Sequence, residues 1–216
     1  MGQLIFKSKP ASYNNSLNYL DFKLRAGHIL PLRYYQFNDL VPVVLICHDF
    51  DQDIGDINVV KLANKFKTSI CTFDYAGYGL HTDKELNAES FIEDGLSAYD
   101  YLVRYRGHHS QDIIILGIGY GSGVACELAY QYQSRLILLN GIMSVIRAKL
   151  DLIIYGDIFL NYELAPKILS KVLLLCDEDR MANSFGLAEL FPNVYKFVIL
   201  KEGDWYQLVR HFVKVI

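Results

Sequence analysis

The sequence predicts an α/β fold: a mostly parallel sheet with an N-terminal antiparallel hairpin, helices on both faces and no large cap domain. Three observations carry that prediction. Apolar runs alternate with amphipathic runs to the end of the chain, as they do when strands and helices are laid down in turn. The run Val41-Pro42-Val43-Val44-Leu45-Ile46-Cys47 has no polar phase, which suits a strand covered on both faces. Residues 18–25 and 28–35 flank Ala26-Gly27 and read as the arms of an antiparallel hairpin. At 216 residues and 52% hydrophobic content the chain can bury a substantial core, and residues 1–216 are expected to form a single domain.

The remaining elements follow in order. After the strand at 41–47 come a helix at 57–66 and a strand at 68–73. A long amphipathic helix is expected at 89–105, where Phe91, Leu96, Tyr99, Leu102 and Val103 recur near helical spacing. A buried strand at 112–116 leads through Gly117-Ile118-Gly119-Tyr120-Gly121-Ser122-Gly123 into a helix at 124–132. A strand at 135–140 comes next, then an irregular stretch at 144–170 containing Pro166. Strands at 171–176 and 194–200 enclose a helix around 184–190, and a helix at 206–215 closes the chain. No long insertion interrupts this series, so there is little room for a cap over any site.

The segment after Leu116 carries the most information. A strand that turns sharply into a helix through Gly-x-Gly-x-Gly has the layout of a nucleophile elbow, G-x-S-x-G, with glycine at the serine position. The backbone of an elbow nucleophile is strained by roughly 1–3 kcal/mol, a cost that glycine avoids. Gly119 therefore preserves the turn while removing the reactive oxygen. A dinucleotide fingerprint beginning at Gly117 would need glycine where Ser122 stands, and Leu139-Asn140 offers no acid for a ribose.

Several further segments carry a family resemblance. They are Ile5-Phe6-Lys7-Ser8-Lys9-Pro10-Ala11-Ser12-Tyr13, the loop from His48-Asp49 to Gly55, Phe73-Asp74-Tyr75-Ala76-Gly77-Tyr78-Gly79, and Leu139-Asn140-Gly141-Ile142-Met143-Ser144. Together with the elbow, they make the chain resemble the compact α/β-hydrolase-domain group that includes protein depalmitoylases and their serine-aminopeptidase-like relatives. The resemblance covers nearly the whole chain. It implies a triad acid after the strand at 171–176, best matched by Asp179, and a histidine after the last strand. There, Lys201-Glu202-Gly203-Asp204 leads instead to Trp205 or Tyr206. It also implies an oxyanion loop at His48-Asp49, with the backbone N–H of Tyr120 as a second donor. Asp49 replaces a small residue and sets a carboxylate near the site of developing negative charge. Nucleophile, base and oxyanion loop are all altered, and without an imidazole no general base of suitable pKa is apparent.

Other candidates have simpler readings. Ser122 is expected to cap the helix that it begins. Cys126 is expected to be buried, and His211 to be an exposed residue of the last helix, too far along it to serve as the base. Asp49, Asp51, Asp53 and Asp56 lack the Gly and Glu of a calcium loop at Ile54 and Val60, and read as a solvated acidic loop. Asp74 is expected to order the turn after its strand. The scattered Cys47, Cys71, Cys126 and Cys176 read as buried thiols of an intracellular protein. No metal or cofactor is expected. A net charge of −3 gives no general attraction to nucleic acid, and no run approaches the length of a membrane helix. The leading expectation is a non-catalytic hydrolase relative that binds another protein or joins an assembly. Two alternatives stand beside it: an acyl-ester or thioester hydrolase working through residues such as Asp179 or His48, and a receptor for a small apolar or acyl ligand.

Overall fold

The computed structural model describes residues 6–14, 19–23, 27–38, 42–82, 84–150, 156–200 and 205–214. Its strands in chain order are β1 (Lys9–Pro10), β2 (Leu20–Lys23), β3 (Ile29–Tyr35), β4 (Val43–Cys47), β5 (Ser69–Phe73), β6 (Tyr78–Gly79), β7 (Ile113–Ile118), β8 (Arg135–Leu139), β9 (Val172–Cys176) and β10 (Val194–Ile199). The helices are α1 (Val59–Phe66), α2 (Ala88–Arg104), α3 (Ser122–Tyr132), α4 (Arg147–Leu150), α5 (Asn161–Leu164), α6 (Met181–Leu190) and α7 (Trp205–Lys214). Eight strands form one sheet in the order β10-β9-β8-β7-β4-β5-β3-β2, and β1 pairs with β6 outside it.

The unbroken apolar runs β4 and β9, and β5 with its Ser69 and Thr72, are buried along their whole length, as strands covered on both faces must be. From β5 to β10 across the sheet every pairing is parallel, while β3 runs antiparallel to both β5 and β2. The expected hairpin is therefore present, with Leu20 opposite Leu32 and Lys23 opposite Ile29; its residues 24–26 lie outside the described residues. Alternate residues of each strand supply two cores. Leu45, Ile115 and Leu138 face α2 and α3, whereas Ile46, Leu116 and Ile137 face α1 and α7.

Helix ends follow local chemistry. Asn58 and Asn87 cap α1 and α2, each side chain accepting a backbone N–H three residues on. Asn87 Oδ1 lies 2.8 Å from Ser90 N. Replacing Asn87 by alanine leaves that donor to water, and about 1 kcal/mol of stability should be lost. Denaturant melts of the parent and variant would check this, and unchanged midpoints would count against the cap.

The order of the sheet fixes where a site can form. From β4 the chain moves outward to β5, then returns to place β7 on the other side of β4. The loops leaving the carboxyl ends of β4 and β7 thus diverge, and a crevice opens at such a switch point. The register sets Cys47 opposite Gly117, so the loop beginning at His48 meets the turn beginning at Ile118.

Candidate functional site

At the end of β7 the chain makes one 3-10 turn, Gly119–Gly121, and enters α3 directly. The flanking glycines are demanded by close approach. A Cβ on Gly117 would lie 2.6 Å from that of Ala125, and one on Gly121 would overlap the carbonyl oxygens of Cys47 and His48. Gly119 has φ of +51°, the left-handed region that side chains disfavour. This is an elbow in backbone as well as in sequence.

The space above Gly119 is already filled. A Cβ there would overlap the carboxylate of Asp49. Asp49 Oδ1 accepts the Tyr120 N–H at 2.9 Å and the Phe50 N–H at 2.8 Å. In a hydrolase elbow, the N–H after the nucleophile and one from the loop after the neighbouring strand form the oxyanion hole. Here those two donors hold the chain's own carboxylate. Burial pushes the Asp49 pKa up, and the two N–H bonds pull against that rise.

Aromatic packing fixes the Asp49 loop. Phe50 stacks on Tyr120 with centroids 5.5 Å apart, and the Tyr75 hydroxyl donates to the His48 carbonyl at 3.0 Å. His48 is fully buried, and its Nδ1–H donates to the Asp49 carbonyl at 2.9 Å. That bond leaves Nε2 unprotonated in the neutral ring, and Nε2 has no partner among the described residues. Burial lowers the His48 pKa to about 4.

The remaining expected positions are dispersed. Asp179 is exposed, 3.8 Å from Arg180, and lines a cavity of about 240 Å³ with Asn140, Ile142 and Asn183. Asp177, two residues earlier, is tied to Asn140 through its carboxylate at 2.7 Å and its N–H at 2.8 Å. Trp205 and Tyr206 open α7 rather than closing over the elbow. Their rings stack at 4.2 Å and both pack on Phe66 of α1, on the sheet face opposite α3. Residues 201–204 lie outside the described residues. His211 is exposed on α7 beside Tyr195, as the sequence suggests.

Three local expectations need correction. Ser122 does not cap α3, because Gly121 occupies that place. Its buried hydroxyl accepts the Ile142 N–H at 3.1 Å and Asn161 Nδ2 at 3.3 Å, pinning the elbow helix to the β8–β9 connection. The acidic loop is not wholly solvated either. Asp53 is buried and accepts N–H groups of Ser12 and Gly55 and the Ser12 hydroxyl. Asp74, at the end of β5, instead ties two distant segments to its strand, accepting the Ile54 N–H at 2.9 Å and the Tyr13 hydroxyl. All four cysteines are buried, and burial raises each thiol's pKa. Among the described residues no group of three His, Cys, Asp or Glu is placed to hold a metal ion, and no helix is long and apolar enough to cross a membrane.

Sheet order, elbow and divergent loops together define an α/β-hydrolase fold, and comparison with solved structures agrees. An esterase from Pyrococcus furiosus superposes with a TM-score of 0.71 over 97% of both chains at 13% identity. Est1E from Butyrivibrio proteoclasticus gives 0.67 at 16% identity, over 91% of this chain and 96% of that one. In sequence, the chain is 25% identical over 153 residues to human alpha/beta hydrolase domain-containing protein 17B, covering 67% of this chain and 53% of that protein. A mimivirus protein named as an alpha/beta hydrolase is 26% identical over 95 residues, covering 43% of this chain and 36% of its own. The chain thus spans about half or less of these curated relatives. No family model matches it.

Proposed function

We propose that this chain is a non-catalytic α/β-hydrolase relative that works by binding another protein. The observation that carries the reading is Asp49. Its carboxylate fills the space of a nucleophile's Cβ and accepts the two N–H groups that would otherwise receive an oxyanion. A tetrahedral intermediate would have to displace a carboxylate and place a second negative charge in its stead, which opposes acyl transfer. The residues expected at the base position support the same reading, since Trp205 and Tyr206 spend their rings on Phe66. His48 is committed to a backbone carbonyl and holds a proton only in acid, so it is poorly suited to act as a base at the elbow.

The test is hydrolysis of short-chain p-nitrophenyl esters and acyl thioesters by the purified chain beside Asp179→Ala. Both proteins should be indistinguishable from buffer, and neither should be labelled by a fluorophosphonate probe. Turnover that disappears in Asp179→Ala would overturn the proposal. A pull-down from the native source, read by mass spectrometry, should then return a stoichiometric protein neighbour.

A further inference from the structure

On the α2–α3 side of the sheet lies a hollow of about 230 Å³ that includes none of the elbow residues. Its walls are apolar, with Ile92 of α2 facing Ile158, Leu160 and Leu164 from the β8–β9 connection. Into it faces Glu127, at the middle of α3, a helix whose neighbouring residues Val124, Ala125, Cys126, Leu128 and Ala129 are all buried. Glu127 is half-buried, and among the described residues it has neither a hydrogen bond nor an ion pair. The cation whose field reaches it is Lys167, whose Nζ sits 5.9 Å over the Tyr130 ring. Burial pushes the Glu127 pKa up.

The other two carboxylates of the hollow behave differently. Asp157 is satisfied by the Ser144 hydroxyl and the N–H groups of Ile146 and Ile158. Glu163 is exposed at the rim. A half-buried carboxylate without a protein partner keeps only part of its hydration, so its charge is penalised by the apolar neighbours around it. A group that enters the hollow and supplies the missing charge would remove that cost.

We propose that the hollow receives a lysine side chain presented by a partner protein, its stem along the apolar walls and its ammonium on Glu127. The charge of the hollow selects this occupant. An acyl carboxylate would meet Glu127 and Glu163 with like charge, and one unpaired carboxylate among apolar walls lacks the oxygen set of a calcium or magnesium site. Lysine joins a four-carbon apolar stem to a compact cation, which matches an apolar wall ending in one carboxylate. The identity of the occupant rests on the protein-binding reading above, whereas the charge preference of the hollow does not.

The test titrates the full chain, followed by NMR of Ile92, Leu160 and Leu164, with Nα-acetyl-lysine methylamide and its neutral norleucine counterpart. The lysine probe should bind about tenfold tighter than the norleucine probe. Glu127→Gln should remove that preference, and Glu163→Gln should reduce it by roughly two- to threefold. Raising salt to 1 M should also shrink it, because a half-buried pair is still partly screened. Equal binding of the two probes, or a preference that survives in folded Glu127→Gln, would overturn the site. If Glu127→Gln does not fold, Glu163→Gln and the salt series decide, and a preference insensitive to both would overturn it. Ester turnover in the earlier assay would overturn the non-catalytic reading and leave this charge preference standing.

Discussion

Gly119→Ser is expected to destabilise the protein by about 2–5 kcal/mol rather than to restore an enzyme. Two costs add. The backbone at 119 has φ of +51°, and a side chain held there pays roughly 1–2 kcal/mol. Its Cβ would also overlap the Asp49 carboxylate, and overpacking of this kind costs about 1–3 kcal/mol. For a chain of this size the sum corresponds to a fall in Tm of roughly 4–20 °C. The second cost belongs to the pair rather than to position 119 alone. A cycle with Asp49→Gly isolates it, because the serine then has room, and the coupling should be about 1–3 kcal/mol in favour of the double variant. Denaturant melts of the four proteins measure it. If Gly119→Ser is as stable as the parent, or the two changes are additive, Asp49 does not fill the nucleophile's space.

The interplay of Gly119 and Asp49 shows how far the sequence could be read. Each residue stands out as a substitution in a recognisable segment, because strand, glycine spacing and helix fix the backbone there within about ten residues. What the spacing does not contain is the direction of the Asp49 side chain. Only the pairing of Cys47 with Gly117 brings its carboxylate onto the Tyr120 N–H, and that contact spans 71 residues. The same limit explains the corrected positions. Ser122 looks like a cap because a hydroxyl at a helix start usually is one, but its partners Ile142 and Asn161 come from a connection with no regular pattern. Asp53 looks solvated within its own loop and is buried by Ser12, 41 residues away. Trp205 and Tyr206 follow the last strand as the elbow logic requires, yet the amphipathic face of α7 turns them to α1. Long apolar strands depend on neighbours in sequence and were legible. Polar side chains answering distant partners were not.

Asp74 and His48 lead to the second large effect, a dependence of stability on pH that the parent conceals. Burial raises the Asp74 pKa to about 6, against the pull of the Tyr13 hydroxyl and the Ile54 N–H. Between pH 4 and 6 the native state therefore keeps a proton that the unfolded chain has released, and stability falls as pH rises, by about 3 kcal/mol. Burial lowers the His48 pKa to about 4. Between pH 4 and 6.5 the unfolded chain holds a proton that the native state lacks, so stability rises with pH by about 3 kcal/mol. The two contributions nearly cancel in the parent. Asp74→Asn keeps an acceptor for Ile54 while removing the acid, so its stability should climb relative to the parent by about 3 kcal/mol from pH 4 to 6.5. His48→Gln should do the reverse and lose a similar amount relative to the parent over that range. Urea midpoints at half-unit steps of pH read the slopes, and any constant loss from either substitution drops out of them. All other carboxylates contribute equally to the three proteins. Parallel curves would mean that neither group carries its proton differently in the fold, and opposite slopes would assign the two titrations to Asp74 and His48.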